Sequence, residues 1–337
     1  LSVNKMYTLA KDKTLEVIQK GSNTLGSFEQ NFRLLCQDNV TAGRESLWEI
    51  PFSAGRGRVL FTLGVQHRAV DQYTAQNKGG TNGPLPYLFY DYDVEDLRRD
   101  VTCVPYEWSN ANPSHQQLRS IDNWCFGKLR YEWMSRRVTS TNDDGINWQY
   151  MRLADIYLMA AEAINELEGS AAAAPYLKPI LDRALPAAKV TAYMGQAAAS
   201  KESFFNAIVD QRALEFAGES LRKADLIRWN LLKTKLDEAK LKMTQLISRV
   251  GPYADLPTKL YFKTADDKET LIIYGLNHGD SDEVGASLGY EGSTTWFDAG
   301  DLTPELINSL YQKNPDQNQY WPIWQTFIDS SNGQLTN

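Results

Sequence analysis

The sequence predicts a mainly α-helical protein, with paired helices forming a scaffold under a large irregular layer of loops and a few short strands. Three observations carry this. Apolar residues recur with the 3.6-residue helical period in four stretches, and glycines and capping residues stop and restart those stretches at short range. Many of the aromatics, by contrast, fall where no such period exists.

The first helical stretch runs from Tyr7 to Lys20 and is ended by Gly21. Arg44 to Phe52, with Leu47, Trp48, Glu49 and Ile50 ahead of Pro51, reads as a short strand. Ser53 to Pro86 is rich in glycine and too long for a plain connection, so it is expected to be a surface excursion. A second helix begins near Asn147. Its Leu153, Ile156, Tyr157, Ala160, Ile164 and Leu167 form one apolar face, and Gly169 stops it. Ala171 to Ala184 is its expected partner, with Pro175 in the first turn and Pro179 introducing a kink.

Ser200 is placed to cap a third helix with Glu202 in its first turn, showing Phe205, Ile208, Val209, Ala213 and Phe216 on one side. Gly218 ends it, and Ser220 is expected to cap a fourth helix carrying Ala224, Ile227 and Leu231. So short a connection predicts a helical hairpin. After 250 the period fails, apart from a short helix at Pro304 to Tyr311. We expect one domain over 1–337, with scaffold at about 1–35 and 147–247 and the loop layer at about 51–146 and 250–337. Helix pairs of this size occur in superhelical repeats, although no strict 34-residue consensus is present.

Composition excludes several functions. The 337 residues carry a net charge of −7 and no basic block, which argues against nucleic acid as a partner. No run of about 18 apolar residues predicts a membrane-spanning helix. Leu1 is not a start methionine, so the chain is expected to be processed or a fragment, any leader or lipidated cysteine having preceded it. Cys36, Cys103 and Cys125 lack metal or disulfide-framework spacing and read as buried thiols.

The three histidines, His67, His115 and His278, form no close pair. Gly285–Gly289 matches a nucleophile-elbow pattern around Ser287, but no histidine follows it, so it reads as a loop. Asp91, Asp93 and Asp96, and separately Asp280 and Asp282, lack the glycine and distal glutamate of a calcium loop. No metal or cofactor is predicted.

Arg212 interrupts the apolar stripe of the third helix, and Glu215, Glu219, Arg222, Asp225 and Arg228 follow it. An inward guanidinium needs carboxylates on its donors, so these six residues are expected to be an ion-pair lock between helices.

Residues 151–163, Met-Arg-Leu-Ala-Asp-Ile-Tyr-Leu-Met-Ala-Ala-Glu-Ala, resemble a signature helix of the SusD/RagB family. Gln211 to Trp229 resembles that family's second, more specific block. Glu45–Ile50, Asp96–Asp100 with Tyr106, Asn314-Pro315 and Tyr320–Ile323 follow in family order. Gln211 stands where the family usually has glutamate, and Trp324 where it favours proline. By this resemblance the chain is expected to enter midway through the family's scaffold.

The resemblance implies a tetratricopeptide-like scaffold and a non-enzymatic, outward-facing lipoprotein of the outer membrane. Its partners would be a glycan, or in some relatives a peptide, and a TonB-dependent SusC-like transporter. The membrane would be reached through a lipid anchor absent from this chain. A helical-repeat module gripping proteins, or a glycoside hydrolase, is the alternative.

Flat aromatics match a sugar's C–H face, and amide and charged groups match its hydroxyl rim. The expected contacts are therefore Arg56, Phe61, Gln66, His67, Tyr73, Trp108 and Asn110, all on non-periodic segments.

Overall fold

A computed structural model describes residues 6–38, 44–140, 142–295 and 301–336. Its elements in chain order begin with helix α1, Tyr7–Lys20, and α2, Phe28–Cys36. Then come strands β1, Ser46–Ile50, β2, Tyr106–Trp108, β3, Gln116–Leu118, and β4, Trp148–Arg152. The scaffold continues with α3, Leu153–Glu168, α4, Ser170–Asp182, α5, Ala187–Ala197, α6, Lys201–Glu215, α7, Arg222–Arg228, and α8, Leu232–Ser248. Strands β5, Lys259–Thr264, β6, Leu271–Tyr274, and β7, Gly292–Thr295, form an antiparallel sheet with β5 central.

The fold is mainly α and tetratricopeptide-like, as expected. Helix α1 packs on α3, α3 on α4, α4 on α5 and α5 on α6, and α6 returns to α3. Alanines at 154, 160, 161 and 163 favour the helix and let its neighbours approach closely. Ala154, Ala160 and Ala161 share one core with Leu177, Ile180, Leu181, Phe204 and Ile208. A second core joins Met243 and Leu246 of α8 to Phe89, Tyr92 and Trp124 of the loop layer. It fixes that layer to the scaffold.

Several boundaries differ from expectation. The second helix starts at Leu153 rather than near Asn147, because Trp148–Arg152 pairs antiparallel with β1, setting Glu49 against Gln149 and Ile50 against Trp148. Helix α4 runs through both Pro175 and Pro179. An interior proline costs about 3 kcal/mol, but burying Leu177, Ile180 and Leu181 returns roughly 1.5–3 kcal/mol each. Ser200 caps α6 as predicted, its hydroxyl accepting from the Ser203 N–H at 2.9 Å. The buried side of α6, however, carries Phe204 and Ala207 in place of Phe205 and Ala213.

Helices α6 and α7 are separated by six residues, not one or two. Ser220 takes φ +64° inside that turn and caps nothing, and Gly218 takes φ +81°, a region L-residues avoid. The buried face of α7 is Asp225 and Leu226, while Ala224 is exposed.

The ion-pair lock is present but differs in membership. Glu215 is completely buried and receives three guanidiniums: Arg98 at 3.1 Å, Arg152 at 2.6 Å, and Arg183. Arg152 also reaches Glu45 at 2.6 Å and Glu219 at 2.8 Å, Arg98 reaches Asp96 at 2.7 Å, and Lys128 pairs with Glu219. Four cations thus meet four carboxylates. A second group links Arg212 to Asp155 and Asp225 at 2.6 and 2.7 Å, and Arg228 to Asp225 and Glu162 at 2.9 and 2.6 Å.

Arg222 belongs to neither group, which corrects the sequence-based assignment. Its Nη1 donates to the Val209 carbonyl at 2.8 Å, and among the described residues no carboxylate lies within ion-pair distance. Cys36, Cys103 and Cys125 are free and buried.

Candidate ligand-binding site

Three of the seven expected contact residues, Gln66, His67 and Trp108, are gathered on one frame of backbone bonds, and Tyr73 packs against it. The segment Gln66–Arg68 lies between Lys78 and β2. The His67 N–H donates to the Lys78 carbonyl at 2.7 Å, the Trp108 N–H to the Gln66 carbonyl at 2.8 Å, and the Arg68 N–H to the Trp108 carbonyl at 3.0 Å. Gly79 permits this approach, because at φ +79° an added Cβ would sit 2.2 Å from the Val65 carbonyl oxygen.

Tyr73 follows in an aspartate-closed turn, Asp71 Oδ1 accepting from the Tyr73 and Thr74 N–H groups at 2.8 and 2.9 Å. Its ring meets Trp108 edge-on at 4.8 Å and its hydroxyl donates to Glu269 at 3.0 Å. Gln72 Nε2 donates to the same carboxylate at 2.9 Å. Glu269 and Gln72 were not foreseen.

His67 and Trp108 are 0% and 2% exposed and stack at 5.6 Å with 15° between planes. A solute cannot touch rings so enclosed, so as placed they are supports beneath Tyr73 rather than contacts. Gln66 is half-buried and gives its amide to Asn77 at 2.6 Å. Phe61 is half-buried, with the Arg58 guanidinium 4.4 Å over its ring and the Lys78 ammonium at 5.8 Å. Arg56 and Asn110 are exposed.

The imidazole of His67 lies 2.6 Å from Asp71 and 3.8 Å from Glu132. Burial alone would lower its pKa, but the bond to Asp71 and the nearby Glu132 carboxylate outweigh burial and raise it. A raised pKa contributes stability fully below the unfolded value of about 6.5, and that contribution is lost as pH rises through the folded value. Urea unfolding from pH 6 to 9 should therefore show a decline that His67→Gln flattens. An unchanged slope in the variant would contradict this.

The acidic groups considered for calcium have cationic or backbone partners. Asp91 pairs with Lys242 at 2.7 Å, Asp96 with Arg98, and Asp93 with Lys189. Asp280 and Asp282 accept backbone N–H groups. Among the described residues no cluster of three metal-type ligands occurs, and no helix is long and apolar enough to cross a membrane.

A stacked-helix scaffold bearing a loop-built polar and aromatic surface defines a class of helical binding scaffolds. Within that class, the chain belongs to the SusD family, whose sequence model matches residues 18–337. It is 30% identical over 148 residues to the SusD-like protein P25 of Formosa agariphila, spanning 42% of this chain and 28% of that protein.

Its fold resembles a SusD homolog from Bacteroides thetaiotaomicron, with TM-score 0.55 and 17% identity over 92% of this chain and 59% of that one. It also resembles surface glycan-binding protein A from Bacteroides thetaiotaomicron, with TM-score 0.53 and 18% identity over 98% and 58%. The chain therefore spans well under two thirds of the length of these relatives.

Proposed function

We propose that this chain captures glycans at the outward face of the outer membrane and hands them, uncut, to a TonB-dependent SusC-like transporter. Membership of the SusD family supports this, as does the name of the similarly folded surface glycan-binding protein A. Attachment through a lipid, and the assignment of scaffold and loop layer to one domain, are part of the proposal.

One observation carries it at the level of residues. Tyr73 is a half-exposed ring held from below by Trp108 and from the side by Glu269. A ring locked in this way loses little entropy when a sugar's C–H face stacks on it. Arg56, Phe61, Gln66 and Asn110 would supply the surrounding contacts.

In native gels containing neutral polysaccharides, the wild type should be retarded by at least one of them. Tyr73→Ala combined with Phe61→Ala should remove the retardation, and unchanged mobility of the double variant would refute the assignment. Release of reducing sugar from the retarding polysaccharide would instead favour a hydrolase.

A further inference from the structure

A cleft of about 560 Å³ lies between the scaffold and the loop layer, walled by α6, α8 and the short helix Tyr87–Asp91. That volume lies in the range of small-ligand sites, and apolar Leu85, Leu88 and Leu214 line it beside charged groups. Its three carboxylates already have partners. Asp91 lies 2.7 Å from Lys242, Glu238 lies 2.7 Å from Lys235 and 3.2 Å from Lys242, and Asp210 lies 3.7 Å from Lys235.

Lys235 and Lys242 share those three carboxylates, and Arg222 brings the lining to charge balance without pairing directly with any of them. Its one hydrogen bond among the described residues goes to the Val209 carbonyl. The contrast with other guanidiniums is chemical. Carboxylates raise the pKa of Arg98, Arg152, Arg183 and Arg212 against burial, whereas Arg222 is lowered, with burial the largest cause.

Tyr87 lines the same cleft, and its hydroxyl has no partner among the described residues. Burial pushes its pKa up to about 12, so it stays a donor at neutral pH.

We propose that this cleft binds an acidic saccharide, Arg222 taking the carboxylate through its free N–H edge and Tyr87 donating to a ring oxygen. A guanidinium fork matches a carboxylate in two parallel bonds, and Arg222 makes no such pair among the described residues. The proposal rests on the reading of the chain as a glycan binder but not on which loop residues touch a neutral sugar.

The test is calorimetric titration at pH 7 with trimers of galacturonate, glucuronate and mannuronate, each beside its neutral methyl ester. The wild type should bind at least one acid trimer tenfold or more tighter than its ester. Arg222→Gln should abolish that preference, and Arg222→Lys should keep part of it, having charge without the fork. Circular dichroism checks that the variants are folded. Should Arg222→Gln not fold, Tyr87→Phe serves instead and should weaken the acid trimer several-fold.

Equal affinity for acid and ester, a preference that survives Arg222→Gln, or binding of no acid trimer would overturn the proposal. An Arg222-dependent grip on an acetylated tripeptide carboxylate but on no uronate would also overturn it. Neutral glycans bound without acid preference would remove this inference and leave the proposed function standing. Failure to bind any glycan would remove both.

Discussion

Replacing Glu215 by alanine is expected to lower the free energy of unfolding by about 3–5 kcal/mol at pH 7. The variant leaves Arg98, Arg152 and Arg183 buried around an absent carboxylate, and an uncompensated buried charge is far costlier than the net worth of the pair it came from. The measurement is the urea midpoint, with Glu16→Ala as the contrast. Glu16 makes exposed ion pairs with Lys13 and Lys20, and its loss should barely move the midpoint. Equal, small effects at both sites would show that the buried cluster is not holding the fold.

The pH dependence of the same group has a definite sign. Burial would raise the Glu215 pKa, but Arg183, Arg152 and Arg98 more than reverse it and hold the carboxylate well below its usual range. A depressed pKa contributes stability above the unfolded value of about 4.3, and that contribution is lost as pH falls through the folded one. Acid unfolding should therefore steepen below about pH 4.3 in the wild type and flatten in Glu215→Gln.

The second large effect is expected at Trp108. Its truncation to alanine removes a ring that is 2% exposed and stacked on His67, at a cost of about 3–5 kcal/mol. Because Trp108 supports Tyr73 without facing solvent, the loss of glycan retention should follow the loss of folded protein. Titrations corrected for folded fraction should show affinity within a few-fold of the wild type. A folded Trp108→Ala protein with no affinity would instead make the ring a contact.

Local signals were legible in the letters. Gly21 closes α1, Ser200 caps α6, and Leu47 to Ile50 ahead of Pro51 marks β1. What escaped depends on partners distant in sequence. Trp148 to Arg152 continues a helical period, yet β1, about a hundred residues earlier, recruits it as a strand. Glu269 meets Tyr73 across 196 positions, and nothing near either residue announces it.

The charged block reads as a lock made by Arg212, Glu215, Glu219, Arg222, Asp225 and Arg228. The three guanidiniums on Glu215, however, come from 98, 152 and 183, and no helical spacing connects those positions. Ser53 to Pro86 reads as a surface excursion, yet it buries Leu60, Val65, His67, Thr74 and Lys78, so burial is what the letters do not show. His67 and Trp108 have the composition of ligand contacts and the exposure of core residues.

The Glu215 cluster also limits how the molecule can be engineered. Its members lie at 45, 96, 98, 128, 152, 183, 215 and 219, so any backbone break within that span divides the set between two pieces. A cut after Arg98, for example, strands Glu45 away from the guanidiniums of Arg152 and Arg183, and Arg98 away from Glu215. Split reporters and permuted termini belong beyond Asn230, where the whole Glu215 cluster stays within one piece.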